Sequence, residues 1–305
     1  MNIHIQTPLI KSLSFSENLN ANVWLKMEAL QPCGSFKLRG IGFACNHYVT
    51  EGATGFISSS GGNAGLAVAY AGRHLAVPVT VVVPQTTKQQ AIALIEREGA
   101  KVIVHGKAWL DAHQYALTLV DQQTIYIHPF DNPLLWSGHA SLIDEVKAQG
   151  VKPDMIVLSV GGGGLLSGVV QGLQDNQWHD IPVLAVETRG ADSLAICKLS
   201  GEHQRLTSIS SIATSLGATQ IADKAFQLLS EHPIYSHVVS DRQAVVGCLK
   251  FLDDHRVLVE PACGASLSAV YEGADALKDK ANILIVVCGG VGATVKQLNQ
   301  WCQSL

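Results

Sequence analysis

The feature that most constrains the fold is a repeated junction in which a short apolar strand pattern runs into glycines and then into a helix pattern. It is sharpest at Met155–Ser159, which leads into Gly161-Gly162-Gly163-Gly164 and then Leu165–Leu173. It recurs where Gly55–Ser59 meets Ser60-Gly61-Gly62-Asn63-Ala64-Gly65 ahead of the Ala- and Leu-rich Ala64–Leu75, and where Ile283–Cys288 meets Gly289-Gly290. The run Val77–Val83 shows none of the polar alternation of a half-exposed strand, as expected of a parallel strand buried on both faces. Further strands are predicted at Val23–Leu30, Lys101–His105, Thr124–Ile127 and Val183–Glu187. Helices are predicted at Thr87–Glu98, Ala108–Asp121, Leu142–Gln149, Ala262–Val270 and from Ala293 onward. Alternating strands and helices predict an α/β chain built as two open, mostly parallel α/β domains. At ~150 residues per domain, a length of 305 residues agrees. Ligands of such sheets sit at the carboxyl ends of strands, where all the glycine-rich turns fall.

Composition removes several classes of function. Charged residues are only 15% and hydrophobic residues 47%, so the chain can bury a large core and is not disordered. The net charge of −4 comes with no basic run, which argues against a nucleic-acid partner. The longest apolar runs fall well short of the ~20 residues a membrane helix needs. The first residues lack the basic and apolar regions of a signal peptide. Seven cysteines, an odd number with no CxxC pair, argue against a disulfide framework or structural zinc site; a reducing cytoplasm is expected. None of the histidines stands in a metal-ligand spacing such as HExxH.

Each glycine-rich segment has two readings. Gly161–Gly164 before a helix exposes backbone N–H groups to an anion, with phosphate the natural guest, or is a loose strand–helix turn. It lacks the third glycine of a G-x-G-x-x-G dinucleotide loop, because Leu166 and Ser167 stand there. Ser58–Gly65 offers hydroxyls and amides to a carboxylate, or is an ordinary helix cap. Lys37, between Gly34 and Gly40 in GSFKLRG, is either an exposed lysine or one whose lowered pKa suits Schiff-base chemistry. Cys288 is a packing thiol or a ligand contact at a strand's carboxyl end. Glu260-Pro261 reads as a helix start with proline at its first position.

Taken together, the segments resemble the fold-type II pyridoxal-phosphate enzymes, with the tryptophan synthase β-like fold, and within them the L-serine dehydratase/L-threonine deaminase group. The carrying segments are SFKLRG at Ser35–Gly40, SSGGNAG at Ser59–Gly65, HPFDNPLLWSGHAS at His128–Ser141, SVGGGGLLSG at Ser159–Gly168, ETRGADS at Glu187–Ser193 and EPACGAS at Glu260–Ser266. The resemblance implies a cofactor held between a large domain (1–34 and 132–305) and a small domain (35–131) inserted in it. Lys37 would carry pyridoxal phosphate as a Schiff base and later move protons. Phe36 would lie on a face of its ring, Asn63 would bond its hydroxyl, and Gly161, Gly162, Gly163, Gly164 and Leu165 would hold its phosphate. Ser215 and Cys288 would face the ring, Cys288 at its nitrogen. Ser60, Gly61, Asn63 and Ala64 would hold the substrate carboxylate. Glu187 with carbonyls of Gly161, Ala191, Leu216 and Ala218 would hold a monovalent cation, potassium. A homodimer acting on small amino acids follows from the same resemblance, and the added regulatory domain of the family's larger threonine deaminases is not expected here.

The implied reaction is elimination of water from L-serine and L-threonine. The alternatives are β-replacement, serine racemisation, or cofactor binding without turnover. Three departures stand out. Gly61 replaces a common Ala and leaves a looser pocket expected there; Ser215 replaces a small apolar residue; and Ser137 replaces a common Glu.

Overall fold

The structure, a computed structural model, describes residues 2–305. In chain order its elements are β1 (Leu9–Lys11), α1 (Leu13–Leu19), β2 (Asn22–Lys26), α2 (Lys37–Thr50), β3 (Gly55–Ser58), α3 (Asn63–Leu75), β4 (Val79–Val83) and α4 (Gln89–Arg97). There follow β5 (Lys101–Val104), α5 (Trp109–Thr118), β6 (Thr124–Tyr126), α6 (Pro133–Ala148), β7 (Met155–Ser159), α7 (Gly164–Asp175), β8 (Val183–Thr188) and α8 (Ser193–Ser200). The chain ends with α9 (Asp223–Glu231), β9 (Ile234–Val239), α10 (Asp241–His255), α11 (Pro261–Tyr271), β10 (Asn282–Val286) and α12 (Val295–Ser304).

Two sheets form. The six-stranded one has the order β1-β2-β10-β7-β8-β9, and every pairing is parallel except β1 with β2. The four-stranded one has the order β5-β4-β3-β6 and is all parallel. The expected α/β architecture with mostly parallel strands is therefore present. Strands β7, β8 and β10 are buried along nearly their whole length, which explains their unbroken apolar sequence.

The strand order locates the ligand crevices. In the larger sheet the chain steps outward from β7 through β8 to β9, while β10 and β2 lie on β7's other side. In the smaller sheet it steps from β3 through β4 to β5, while β6 lies on β3's other side. Loops leaving the carboxyl ends of strands flanking such a reversal diverge and open a crevice. The loops concerned are Gly161–Gly164 after β7, Cys288–Gly290 after β10, Ser59–Gly62 after β3 and Ile127–Phe130 after β6. The loops of the two sheets meet, Gly162 against the Phe130 ring and Asn63 against the Val291 amide.

Several elements differ from the sequence expectation. The strand expected at Val23–Leu30 stops at Lys26, and Glu28–Leu30 turns into a 3-10 helix. Glu28 is wholly buried there, paired with Arg39. The helix expected at Leu142–Gln149 begins earlier, at Pro133, where Asn132 caps the amide of Leu134. Helices α1, α2, α8, α9 and α10 and strands β1 and β9 were not anticipated. In α2 the cause is visible: Gly40 and Gly42 break the propensity pattern, yet they allow α2 to approach His139 and Ile3 closely.

Candidate active site

Lys37 is the first residue of α2. The turn before it is tied to the end of β10: Phe36 N–H donates to Cys288 O at 3.2 Å, Gly290 N–H donates to Gly34 O at 2.8 Å, and Ser35 bridges Gly289. Gly290 at φ +109° makes this close approach possible, because a side chain there would collide with the Glu260 carboxylate. The Lys37 ammonium lies 5.1 Å from the centre of the Phe36 ring and donates to Pro129 O at 2.6 Å. Burial pushes its pKa down to about 8, against a weaker upward pull from Cys288 and Glu260. Its place at a helix N-terminus disfavours the positive charge further. The amine is thus poised to lose its proton near neutral pH, as Schiff-base formation requires.

Asn63 begins α3. Its amide donates to Glu260 Oε1 at 2.8 Å and to Ser215 Oγ at 3.4 Å, and accepts from Val291 N–H at 3.0 Å. Glu260 Oε2 accepts from Gly292 N–H at 2.7 Å. Burial raises the Glu260 pKa, partly offset by its bonds to Ser215, Gly292 and Asn63. Glu260 is thus a site residue that sequence reading reduced to a helix cap. Its signal was weak, since Pro261 at the first helical position already accounts for the segment as a helix start. Lys88 closes the same edge: its ammonium lies 5.2 Å from the Trp301 ring centre and 3.5 Å from Gly292 O.

Gly163, at φ +86°, turns the chain into α7, and among the described residues the N–H groups of Gly161–Leu165 have no protein acceptor. Gly161 backs onto the Ser215–Leu216 backbone, and Gly162 onto the Phe130 ring beside Pro129. Lys37, Phe36, Asn63, Ser215, Cys288 and the tetraglycine turn are therefore brought together. The Cys288 thiol is pushed well above its ordinary pKa by its hydrogen bond with Cys263 and by burial, so it is neutral.

Gly61 calls for a correction. A methyl group there would lie 2.7 Å from Thr87 Cγ2 and 3.2 Å from Val83 Cγ1. The expected looser pocket is not there, because Thr87 and Val83 already fill the space. Ser137 accepts from Gln171 Nε2 at 3.2 Å, away from the site's contacts.

Glu187 is fully buried and caps α8, accepting from Leu194 N–H and Ala195 N–H, each at 2.8 Å. Burial raises its pKa to about 8, against the lowering pull of those amides. Ala191 is adjacent through its bridge to Thr188, and Ala218 N–H donates to Leu216 O at 2.8 Å.

Sequence reading also missed the support beneath Lys37. Arg39, wholly buried, forks onto two carboxylates: Glu28 at 2.7 and 2.8 Å, and Glu145 at 2.7 Å through two nitrogens. Lys26 adds a 2.6 Å bond to Glu145, and Thr7 a 2.6 Å bond to Glu28. An arginine in an otherwise apolar helix pattern, two residues after Lys37, was the available signal.

A buried lysine of lowered pKa, an anion cradle at a helix N-terminus, a planar aromatic beside the lysine and a neutral thiol at a strand end together suit a phosphate-bearing aldehyde cofactor. The chain belongs to the pyridoxal-phosphate dependent enzymes, whose family model matches residues 1–289. It is 45% identical over 307 residues to the human L-serine dehydratase/L-threonine deaminase, covering 97% of this chain and 94% of that protein. It is 44% identical to the L-serine dehydratase of Dictyostelium discoideum, covering 99% and 93%. Its fold matches the crystal structure of a fungal L-serine ammonia-lyase from Rhizomucor miehei with a TM-score of 0.94 at 35% identity, covering 99% of both chains.

One pH dependence follows from Lys37. Only the neutral amine attacks an aldehyde, so the rate at which cofactor-free protein takes up pyridoxal phosphate is expected to rise with pH and level off above about 8. Stopped-flow absorbance from pH 6 to 10 measures this. A midpoint near 10, the ordinary lysine value, would show that burial does not tune the amine.

Proposed function

We propose that this protein is a pyridoxal-phosphate-dependent ammonia-lyase that converts L-serine to pyruvate and ammonia and L-threonine to 2-oxobutanoate and ammonia. The observation that carries it is the single constellation of Lys37, Asn63, Cys288 and the tetraglycine turn, in a chain aligned end to end with dehydratases. When bound, pyridoxal phosphate supplies an electron sink for the charge left at Cα after its proton is removed.

The residues divide the remaining work. Lys37 would anchor the cofactor, and its amine, whose pKa burial lowers to about 8, would take the α-proton as general base. Amides of Gly161–Leu165 hold the phosphate. Phe36 would pack on the ring and Asn63 would orient its hydroxyl, with Ser215 beside Asn63. Ser60, Gly61, Asn63 and Ala64 grip the substrate carboxylate at the N-terminus of α3. Cys288 would face the ring nitrogen as a neutral partner. An aspartate there would hold the nitrogen protonated, whereas a neutral thiol would not, so the bound cofactor would be a weaker electron sink, which would favour elimination over racemisation. A keto-acid assay across L-serine, L-threonine, D-serine and O-acetylserine tests the reading. Keto acid from L-serine and L-threonine is expected, and a replacement product from O-acetylserine alone would overturn it.

Glu187 with carbonyls of Gly161, Ala191, Leu216 and Ala218 is read as a monovalent-cation site, potassium being the candidate. A buried carboxylate that accepts from two amides and pairs with no cationic side chain among the described residues is the motive. Because only the ionised carboxylate binds the ion, potassium is expected to raise the melting temperature relative to tetramethylammonium. That increment should grow with pH up to about 8 and vanish in Glu187→Gln. Equal melting temperatures in both salts would remove the site.

The chain is further read as a cytoplasmic homodimer acting on small amino acids, with residues 35–131 as the smaller domain. No helix among the described residues is long and apolar enough to cross a membrane. Sedimentation at working concentration tests the dimer.

A further inference from the structure

Behind the loop Ser60–Ala64 lies a hydrogen-bonded group that none of the roles above uses. In the smaller sheet Tyr126 of β6 is in register with Ile57 of β3, so Ser59, two residues on, emerges on the same face. Helix α5 packs over that face, with Ala112 and Ala116 buried against Ile57 and Val82. Ala112 is next to His113, which this packing turns toward the strand ends. The Ser59 hydroxyl lies 2.7 Å from the Tyr126 hydroxyl, which lies 2.9 Å from His113 Nδ1; Ser59 to His113 closes the triangle at 3.4 Å. Ser59 is wholly buried, so its hydroxyl has no recourse to solvent. On the outer side the Trp109 ring stacks on His113 at 4.8 Å and 10°.

The order of donors can be worked out. Burial lowers the His113 pKa, so near neutral pH its ring is neutral. In the tautomer with its proton on Nε2, Nδ1 accepts from the Tyr126 hydroxyl, whose oxygen accepts from Ser59. In that arrangement the three side chains form one continuous chain of donors, which holds the Ser59 rotamer and with it the exit of the chain from β3. The next residue is Ser60, the first of the residues read above as gripping the substrate carboxylate. Ser59 is too enclosed to act as a nucleophile, so the group holds the loop and does not react.

We propose that His113, Tyr126 and Ser59 form a positioning relay that sets the substrate-carboxylate loop and so governs affinity for the amino acid. The proposal rests on the assignment of Ser60–Ala64 to substrate binding. It makes helix α5, remote from the cofactor contacts, a determinant of KM. Of the three, Tyr126 is the hinge, since it alone touches both ends at short distance.

The test uses the cofactor-loaded enzyme and three variants. Tyr126→Phe removes the hinge, His113→Leu removes the terminal acceptor, and His113→Asn retains an acceptor, because Asn Oδ1 lies the same two bonds from Cβ as His Nδ1. Two quantities are measured for each: kcat and KM for L-serine, and the L-serine concentration that half-saturates the change in cofactor absorbance. Tyr126→Phe and His113→Leu are expected to raise both KM and the half-saturating concentration about tenfold, with kcat within about twofold. His113→Asn is expected to stay near the wild type. Unchanged KM in folded His113→Leu or Tyr126→Phe overturns the relay, as does His113→Asn behaving like His113→Leu. A merely structural role would lower the melting temperature without moving KM. A wild type whose absorbance responds to L-serine but which releases no keto acid would refute the lyase function, and the comparison of half-saturation would still decide the relay.

Discussion

Lys37→Ala is expected to abolish turnover of L-serine and L-threonine, with a loss on the order of 10⁴-fold or more, since the substitution removes covalent attachment and the general base together. The structure gives the reason for so complete a loss. Lys37 is fixed at the first turn of α2 by the strapping of Gly34–Phe36 onto Cys288–Gly290. No other lysine shares that place: Lys26 is bound to Glu145, and Lys88 sits over Trp301 at the cleft's edge. The variant should still fold, because the amine's protein contacts are confined to Pro129 O and the Phe36 ring. Cofactor retained by the phosphate cradle alone should be removed by gel filtration. Borohydride treatment of the wild type, followed by peptide mapping, should find the reduced cofactor on Lys37. Label on another lysine, or residual turnover near the wild-type rate, would overturn the assignment.

The second large effect concerns stability. Arg39→Met is expected to cost about 3–5 kcal/mol, because it leaves Glu28 and Glu145 buried with Lys26 as their nearest cation. In a chain of this size that is a fall on the order of 10 °C in melting temperature, read by calorimetry. Arg39→Lys is expected to recover only part of the loss, since a single ammonium cannot fork onto two carboxylates. The sign of the pH dependence follows from Glu145, whose pKa is lowered because its bonds to Arg39 and Lys26 outweigh the effect of burial. A carboxyl lowered in the folded state contributes stability above its unfolded value of about 4.5, and that contribution is lost as pH falls through its folded value. The acid side of the stability curve should therefore be steeper in the wild type than in Arg39→Met. A variant within 1 °C of the wild type would show that the cluster is dispensable.

The two effects are physically linked. The cluster joins β2, α2 and α6 beneath the turn that presents Lys37, so breaking it is expected to disturb the place of the amine proposed to hold the cofactor. In the Arg39 variants a measurable weakening of cofactor retention is expected alongside the loss of stability.

What the sequence determined by itself is local chemistry whose signal is contiguous. The apolar strands β3, β4, β7, β8 and β10 and the glycine turns behind three of them were legible, because burial on both faces and close backbone approach each leave their mark in adjacent residues. Lys37, Asn63, Cys288 and Gly161–Gly164 were legible for the same reason, within motifs of four to eight residues. The tertiary structure alone decided what depends on residues far apart in the chain. Glu260 meets Asn63 across 197 positions, Arg39 meets Glu145 across 106, and Ser59 meets Tyr126 across 67. Thr87 fills the space beside Gly61, so a missing methyl in the sequence is not a gap in the pocket. Helix α2 escaped prediction because its glycines oppose helix propensity locally, and only the close approach to His139 and Ile3 makes them favourable. Local propensity is worth a fraction of a kcal/mol per residue, whereas buried packing and buried charge are each worth several. Where local propensity and burial disagree, the chain follows burial, and burial is set by neighbours in space that adjacent residues do not reveal.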